Sequence, residues 1–297
     1  MPAPSTLSRT KRSEKYTFSD KLYLYTMQLL PSPDLAHVVK HFLLLESGHS
    51  HARHCFFPDG NTGMAFHFGV PFDQEISDNA TITQPTSFLY GQVNQFRHLT
   101  ANGGIGLLIV VFQPYGVHSL LRMPAYELSG KWVDTRDIWG QDATVLEEKV
   151  LTATTAYQKI AFIEDFLRYK LTGDIGQEHM IQRGITTIYA HHGHIAVEEL
   201  SQQLGINKRS LERLFREKVG ITPKHFTNII RLQHSLRLLR NRSAKENITG
   251  IAYECGYFDQ SHFIREFRSM VGITPRQYLF NTLPLAVNFV QLQAGCA

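Results

Sequence analysis

The chain of 297 residues lacks most of the features that would place it in a common class. It has three cysteines, Cys55, Cys255 and Cys296, an odd number at unpaired spacings, which argues against a disulfide scaffold and for a reducing, cytoplasmic setting. No uninterrupted apolar run approaches the roughly 20 residues of a membrane span. Arg9, Lys11, Arg12 and Lys15 are not followed by the apolar core of a signal peptide. Nucleophile-elbow, P-loop and dinucleotide motifs are missing. The glycine-rich Gly103-Gly104-Ile105-Gly106 has no strand-turn-helix context to bind phosphate. The expectation is a protein without catalytic residues, cofactor or membrane partner.

Net charge is also low, +4 overall, but it is unevenly spread. Residues 181–281 hold 15 Lys and Arg against 8 Asp and Glu, a net +7, which leaves −3 for the remainder. A basic C-terminal third on a slightly acidic partner suits a reader of nucleic acid, since phosphate attraction supplies affinity without sequence information.

That third is duplicated. Residues 200–223, LSQQLGINKRSLERLFREKVGITP, align with 251–275, IAYECGYFDQSHFIREFRSMVGITP, so that Gly205 meets Gly256, Phe215 meets Phe267 and Arg216 meets Arg268. Val219-Gly220-Ile221-Thr222-Pro223 recurs unchanged as Val271-Gly272-Ile273-Thr274-Pro275. Each copy reads as helix-turn-helix. Val197, Leu200 and Leu204 form a helical stripe, and Gly205 lies where the chain must leave that helix. Asn207 and, in the second copy, Asp259 are N-caps of a second helix, with Leu211, Leu214 and Phe215, or Phe263, Ile264 and Phe267, turned inward. A Thr-Pro pair then opens another helix.

The outward faces of the second helices carry the functional expectation. Lys208, Arg209, Glu212, Arg213 and Arg216 point away from the first stripe, and Gln260, Ser261, His262, Arg265 and Arg268 from the second. Arg, Gln and Ser match base edges in a major groove, and Lys and Arg also bind phosphate. A solvated helix face accounts for most isolated basic helices; two such faces on a duplicated unit favour double-stranded DNA as the partner.

Residues 181–281 resemble the DNA-binding domain of the AraC/XylS family of transcription regulators. The resemblance is carried by Gly256-Tyr257, Ser261, Phe263, Phe267, Gly272 and Thr274-Pro275-Arg276-Gln277-Tyr278. It implies two helix-turn-helix units joined by a long helix, with both recognition helices in successive major grooves, which recur about every 34 Å. The stretch from Pro223 to about Arg240 fits that connector. By position, base reading falls to Arg209, Glu212, Arg213, Gln260, Ser261 and Arg265. Glu212 is the weakest member, useful only if it accepts from a cytosine amine. Arg231 matches a frequent family arginine and is expected to be structural.

The N-terminal half reads as turns and strands. Pro58-Asp59-Gly60-Asn61 is strong turn chemistry, Met64 to Phe68 alternates as a half-buried strand, and Gly106 to Phe112 is buried on both faces by its composition. Many short strands favour a small β-barrel or sandwich. After Pro114, residues 115–122 and 134–171 read as helices, and Gly173-Asp174-Ile175-Gly176 as the hinge. Pro58-Asp59-Gly60, Phe112-Gln113-Pro114 and Asp137-Ile138-Trp139-Gly140 resemble the sensor-like domain of many AraC-type regulators, which implies a cupin-like barrel with helices that could dimerise.

His41, Glu46, His49, His51, His54 and Cys55 crowd one segment and invite a metal. His49 and His51 share a strand face, but Phe56, Phe57 and Pro58 stand where metal-bearing cupins place an acid, so no metal is expected. His67 reads as a packed or hydrogen-bonded histidine, and Cys255 as a small core residue.

The expected fold is α+β. A basic tail spans 1–15, a cupin-like domain with appended helices 16–174, an all-α double helix-turn-helix domain 177–281, and a C-terminal tail 282–297. The expected function is a transcription regulator, an activator rather than a repressor, with a small-molecule effector, a homodimer and RNA polymerase as further partners. Phe66 and Phe68 are the ligand candidates. The alternative is an enzyme fused to a DNA-binding domain: a metal-dependent cupin, or a cysteine-based DNA repair methyltransferase using Cys55, which lacks the four-cysteine cluster.

Overall fold

A computed structural model describes residues 11–19, 22–77, 80–171, 178–241 and 248–293, with the backbone alone for 11–24, 49 and 50. The expected hinge at 173–176 lies outside the described residues. The strands are β1 (Lys11–Ser19), β2 (Leu22–Leu29), β3 (Val39–Phe56), β4 (Gly63–His67), β5 (Asp73–Ser77), β6 (Ala80–Thr83), β7 (Ser87–Tyr90), β8 (Arg97–Phe112), β9 (Trp132–Asp134), β10 (Thr282–Pro284) and β11 (Phe289–Leu292). Helices α1 (Gly116–Leu121), α2 (Thr135–Trp139), α3 (Gln141–Thr152) and α4 (Ala156–Lys170) follow β8. The C-terminal domain holds α5 (His179–Ala190), α6 (Val197–Leu204), α7 (Lys208–Lys218), α8 (Pro223–Asn241), α9 (Ile248–Glu254), α10 (Gln260–Val271) and α11 (Pro275–Phe280).

The strands join in one sheet in the order β1-β2-β3-β8-β4-β7-β9, with antiparallel neighbours throughout. The expected run of short strands is corrected at two places: β3 has 18 residues and β8 has 16. Their long ladder shifts register between Glu46 and His49, a bulge that bends the pair and lets each strand serve two halves of the sheet. One half of β3 pairs with β2 and the other with β11; one end of β8 pairs with β4 and the other with β5. His49, His51 and His54 lie on β3, beyond that bulge.

Alternation sorts the long strands into two cores. Phe42, Leu44, Leu108, Val110 and Phe112 point to one side, where Val117, Leu146, Ile160, Ile163 and Leu167 of α1, α3 and α4 cover them. Leu43, Leu45, Leu107, Ile109 and Val111 point to the other side and meet Phe88 and Phe289 from the same sheet, with Phe72 just ahead of β5. A sheet whose one face packs on itself must curl, and its other face carries the helices. This is the expected α+β arrangement.

Both ends of the chain depart from the sequence reading. Residues 11–15, assigned there to a tail, lie in β1, which pairs with β2; residues 1–10 are outside the described part. The C-terminal tail is also a strand element. After α11 the chain forms β10 and β11, and Phe289, Val290 and Gln291 pair with Phe56, Cys55 and His54 of β3. Leu285 and Phe289 are buried there at 5% and 3% exposure, and apolar burial on a sheet edge offsets the cost of ordering a terminus.

Candidate nucleic-acid interface

In the first unit, Gly205 takes a left-handed conformation at φ +69°, turning the chain out of α6 at a residue without a Cβ to clash. The Asn207 side chain then accepts from the Ser210 N–H at 2.9 Å and starts α7. In the second unit Gly256 takes the same role at φ +64°, and Asp259 accepts from the His262 N–H at 2.7 Å. Thr222 accepts from His225 N–H at 3.2 Å ahead of α8, and Thr274 with Gln277 forms a reciprocal capping box ahead of α11. Leu211, Phe215, Phe263 and Phe267 are fully buried, so the opposite faces of α7 and α10 are forced outward.

The helix between the units, α8, is 19 residues and about 28 Å long at 1.5 Å per residue. It is buried on several sides because both units and the N-terminal domain pack on it. Phe226 and Ile230 lie against Gly60 of the predicted turn, and Gln233 donates to the Pro58 carbonyl at 2.7 Å. Arg231 proves structural. Its guanidinium sits 4.4 Å over the Tyr257 ring and pairs with Glu266 at 2.7 Å, tying the connector to α10.

Residues 200–280 match the family described as "Helix-turn-helix domain". Over 82 residues the chain is 35% identical to the HTH-type transcriptional activator RhaS of Klebsiella pneumoniae (strain 342), covering 28% of this chain and 29% of that protein. The C-terminal domain is a helix-turn-helix domain of AraC type. The chain thus spans less than a third of this relative's length. Residues 27–134 match a family described as a domain of unknown function. ToxT from Vibrio cholerae O395 is similar at 17% identity and a TM-score of 0.46, over 80% of this chain and 97% of that one. An AraC-type transcriptional regulator from Chromobacterium violaceum is similar at 24% identity and a TM-score of 0.33, over 36% of this chain and 94% of that one.

Within the AraC-type domain the expected contact residues fall into two groups. Arg209, Glu212 and Arg213 on α7, and Ser261, Arg265 and Arg268 on α10, are exposed. Ser261, Arg265 and Arg268 also border one shallow concavity with Ile264 and Ser269. The remaining four have protein partners as well, although Lys208 and Arg216 are also exposed. Lys208 pairs with Glu198 of α6 at 2.7 Å. Arg216 lies 5.6 Å over the Tyr126 ring of the N-terminal domain. Gln260 accepts from the Thr249 hydroxyl at 2.7 Å, and half-buried His262 is 3.2 Å from Glu266 and packs edge-on against Tyr257. Periodicity could not reveal most of these contacts, because Glu198, Tyr126, Thr249 and Tyr257 lie on other elements.

Several features escaped the sequence reading. His192 and His234 stack in parallel with centroids 4.3 Å apart, joining the α5–α6 turn to α8. Lys218, at the end of α7, donates to His118 Nε2 at 2.8 Å, and Nδ1 of the same ring faces the Met123 carbonyl at 2.8 Å. Desolvation lowers the His118 pKa, which favours the neutral ring that can accept from an ammonium. Cys255 is buried in the core of the second unit, as expected.

In the N-terminal domain His67 is buried and contacts Gln84 at 3.1 Å, as expected of a packed histidine. The ligand candidates are placed differently. Phe66 is in the core beneath the helices and Phe68 packs against it under the Lys159 ammonium, so neither lines the cavity on the opposite face, which Ala65 does. Among the described residues no three His, Cys, Asp or Glu side chains converge to hold a metal, and no helix is long and apolar enough to cross a membrane.

Proposed function

We propose that this chain is a sequence-specific, cytoplasmic DNA-binding transcription regulator. The observation that carries the reading is the pair of exposed polar faces on α7 and α10, each capped and buried behind in the same way and separated by one rigid helix. Arg209 and Arg213, with Ser261 and Arg265, read base edges, and Arg268 holds phosphate. Arg216 joins them only if its contact with Tyr126 opens. The curled sheet and its helices respond to a small-molecule effector and bring two copies together, so that effector binding shifts which half-sites a dimer spans. Similarity to a transcriptional activator supports activation, with RNA polymerase as a further partner.

The test is selection of bound sequences from a random duplex pool by the full chain. The expected result is one motif with two elements about ten base pairs apart, one helical turn of DNA. A pool left unenriched both by the folded full chain and by residues 178–281 alone, which lack the effector-responsive part, would overturn the reading.

A further inference from the structure

The two helix-turn-helix units differ in the turn that leads to the second helix. In the first, Gly205 is followed by Ile206, which packs on the core of its unit, and then by the N-cap Asn207. In the second, Gly256 is followed by Tyr257, which is 3% exposed in the corresponding core, and the N-cap is Asp259. Phe258 stands between these two, an insertion with no counterpart in the first unit. It is 85% exposed, the most exposed large apolar side chain among the described residues.

Single apolar residues on a surface are common, and exposure alone assigns nothing. The local packing, however, also leaves this ring without a structural task. An apolar residue just before an N-cap ordinarily folds back on the fourth residue of the helix and fixes the angle of entry. In α10 that fourth residue is Phe263, which is fully buried, and the ring against it is Tyr257, at a centroid distance of 4.9 Å. Tyr257 is itself covered by the Arg231 guanidinium at 4.4 Å. The inner side of the turn is therefore filled, and Phe258 is left to solvent. An aromatic ring kept in water forgoes the gain of burial, which a partner can supply.

The neighbouring residues indicate the partner. Ser261, Arg265 and Arg268, four and three residues apart, form the exposed face of α10, and Phe258 precedes that row by three residues. A recognition helix presents its N-terminal end to base edges in the major groove. The apolar group displayed there is the 5-methyl of thymine. We propose that Phe258 packs on a thymine 5-methyl group and makes the second unit demand thymine at one position of its element. The proposal rests on the DNA-reading function above and adds a residue that reads by apolar contact, where Ser261 and Arg265 read by hydrogen bonds. The first unit has no equivalent, because Ile206 packs on its own core.

The test uses the full chain and the motif it selects. Each thymine is replaced in turn by deoxyuridine, which lacks only the 5-methyl group, and Kd is measured for the parent and for Phe258→Ala. In the element read by α10, one replacement is expected to weaken the parent about fourfold, the effect of returning one buried methyl group to water. Phe258→Ala should lose that discrimination. In the element read by α7, the effects of the variant and of deoxyuridine should be independent. Phe258→Ala should also leave affinity for random DNA and the salt slope unchanged, because an apolar contact releases no counterions. A motif without thymine in the α10 element, thymine methyls read alike by parent and variant, or a loss of equal size on random DNA each overturns the proposal. So does unchanged DNA binding accompanied by lost transcription, which would assign the ring to a protein partner. If no motif is selected the DNA-reading function falls as well, an outcome that none of the others shares.

Discussion

Helix α7 carries five cations and two carboxylates along Lys208–Lys218, whereas α10 carries two cations and one carboxylate along Gln260–Val271. The two helices have the same capping plan and different surroundings. The far end of α7 leans on the N-terminal domain through Arg216 and Lys218, leaving Arg209, Glu212 and Arg213 at its near end exposed. Helix α10 instead has part of its own polar face consumed by Thr249, Glu266 and Tyr257, and its base is shared with β3 and β11. The difference indicates two jobs for a duplicated unit. The first is rich in free charge and suits strong phosphate attraction. The second is more ordered and more firmly coupled to the rest of the chain, and suits readout and regulation.

The comparison can be broken most forcefully in the buried phenylalanines. Phe215→Ala and Phe267→Ala should each cost about 3–5 kcal/mol in urea unfolding, because both rings are fully buried. Only Phe267→Ala should also speed amide exchange in β11, since only Phe267 shares a core with Cys55, Phe57 and Val290. Equal changes in β11 would mean the units are anchored alike.

Acid should act on the N-terminal sheet, where two histidines are buried. Burial lowers the pKa of His54 and of His67 from 6.5 to about 4, so below pH 6.5 the unfolded chain takes up protons that the folded chain refuses. Stability held above pH 6.5 is therefore lost as pH falls toward 4, by about 3 kcal/mol for each ring. His67→Gln should flatten the dependence of the urea midpoint on pH in that window; a slope equal to the parent's would refute the assignment.

Arg231→Met should cost about 1–3 kcal/mol by leaving Glu266 without its charged partner. In a selected DNA motif it should blur the element read by α10 more than the one read by α7. The outward arginines give a finer contrast. Arg265→Ala should cost about 1–3 kcal/mol on the preferred sequence and relax choice at one position. Loss of equal size on random DNA would mark it as a phosphate contact. The smallest effect is expected from Arg268→Ala, which should weaken binding on all sequences and reduce the salt slope by about one. An unchanged slope would remove that role.

Much of the C-terminal domain was legible in the chain itself. Gly205, Asn207, Gly256, Asp259, Thr222 and Thr274 act within a few residues of their own position, so caps, turns and helix boundaries follow from local chemistry, and the repeat doubles the signal. The basic charge balance and the outward arginines of α7 and α10 are likewise set by composition and a period of 3.6 residues. In the N-terminal half, the uninterrupted apolar composition of Gly106–Phe112 announced a strand buried on both sides.

What the tertiary structure decided depends on residues far apart in sequence. Nothing near Phe289 signals that it pairs with Phe56 across more than two hundred residues, or that Ala65 rather than Phe66 faces a cavity. A one-residue change of register would exchange those faces, and register in a curled sheet is set by bulges and cross-strand packing. The same holds for Lys208, Arg216, Gln260 and His262. Their residue types favour DNA, and only the placement of Glu198, Tyr126, Thr249 and Glu266 gives them protein partners as well. Local propensity thus wrote the helices and their caps, while long-range packing chose which of their polar groups remain available to a partner.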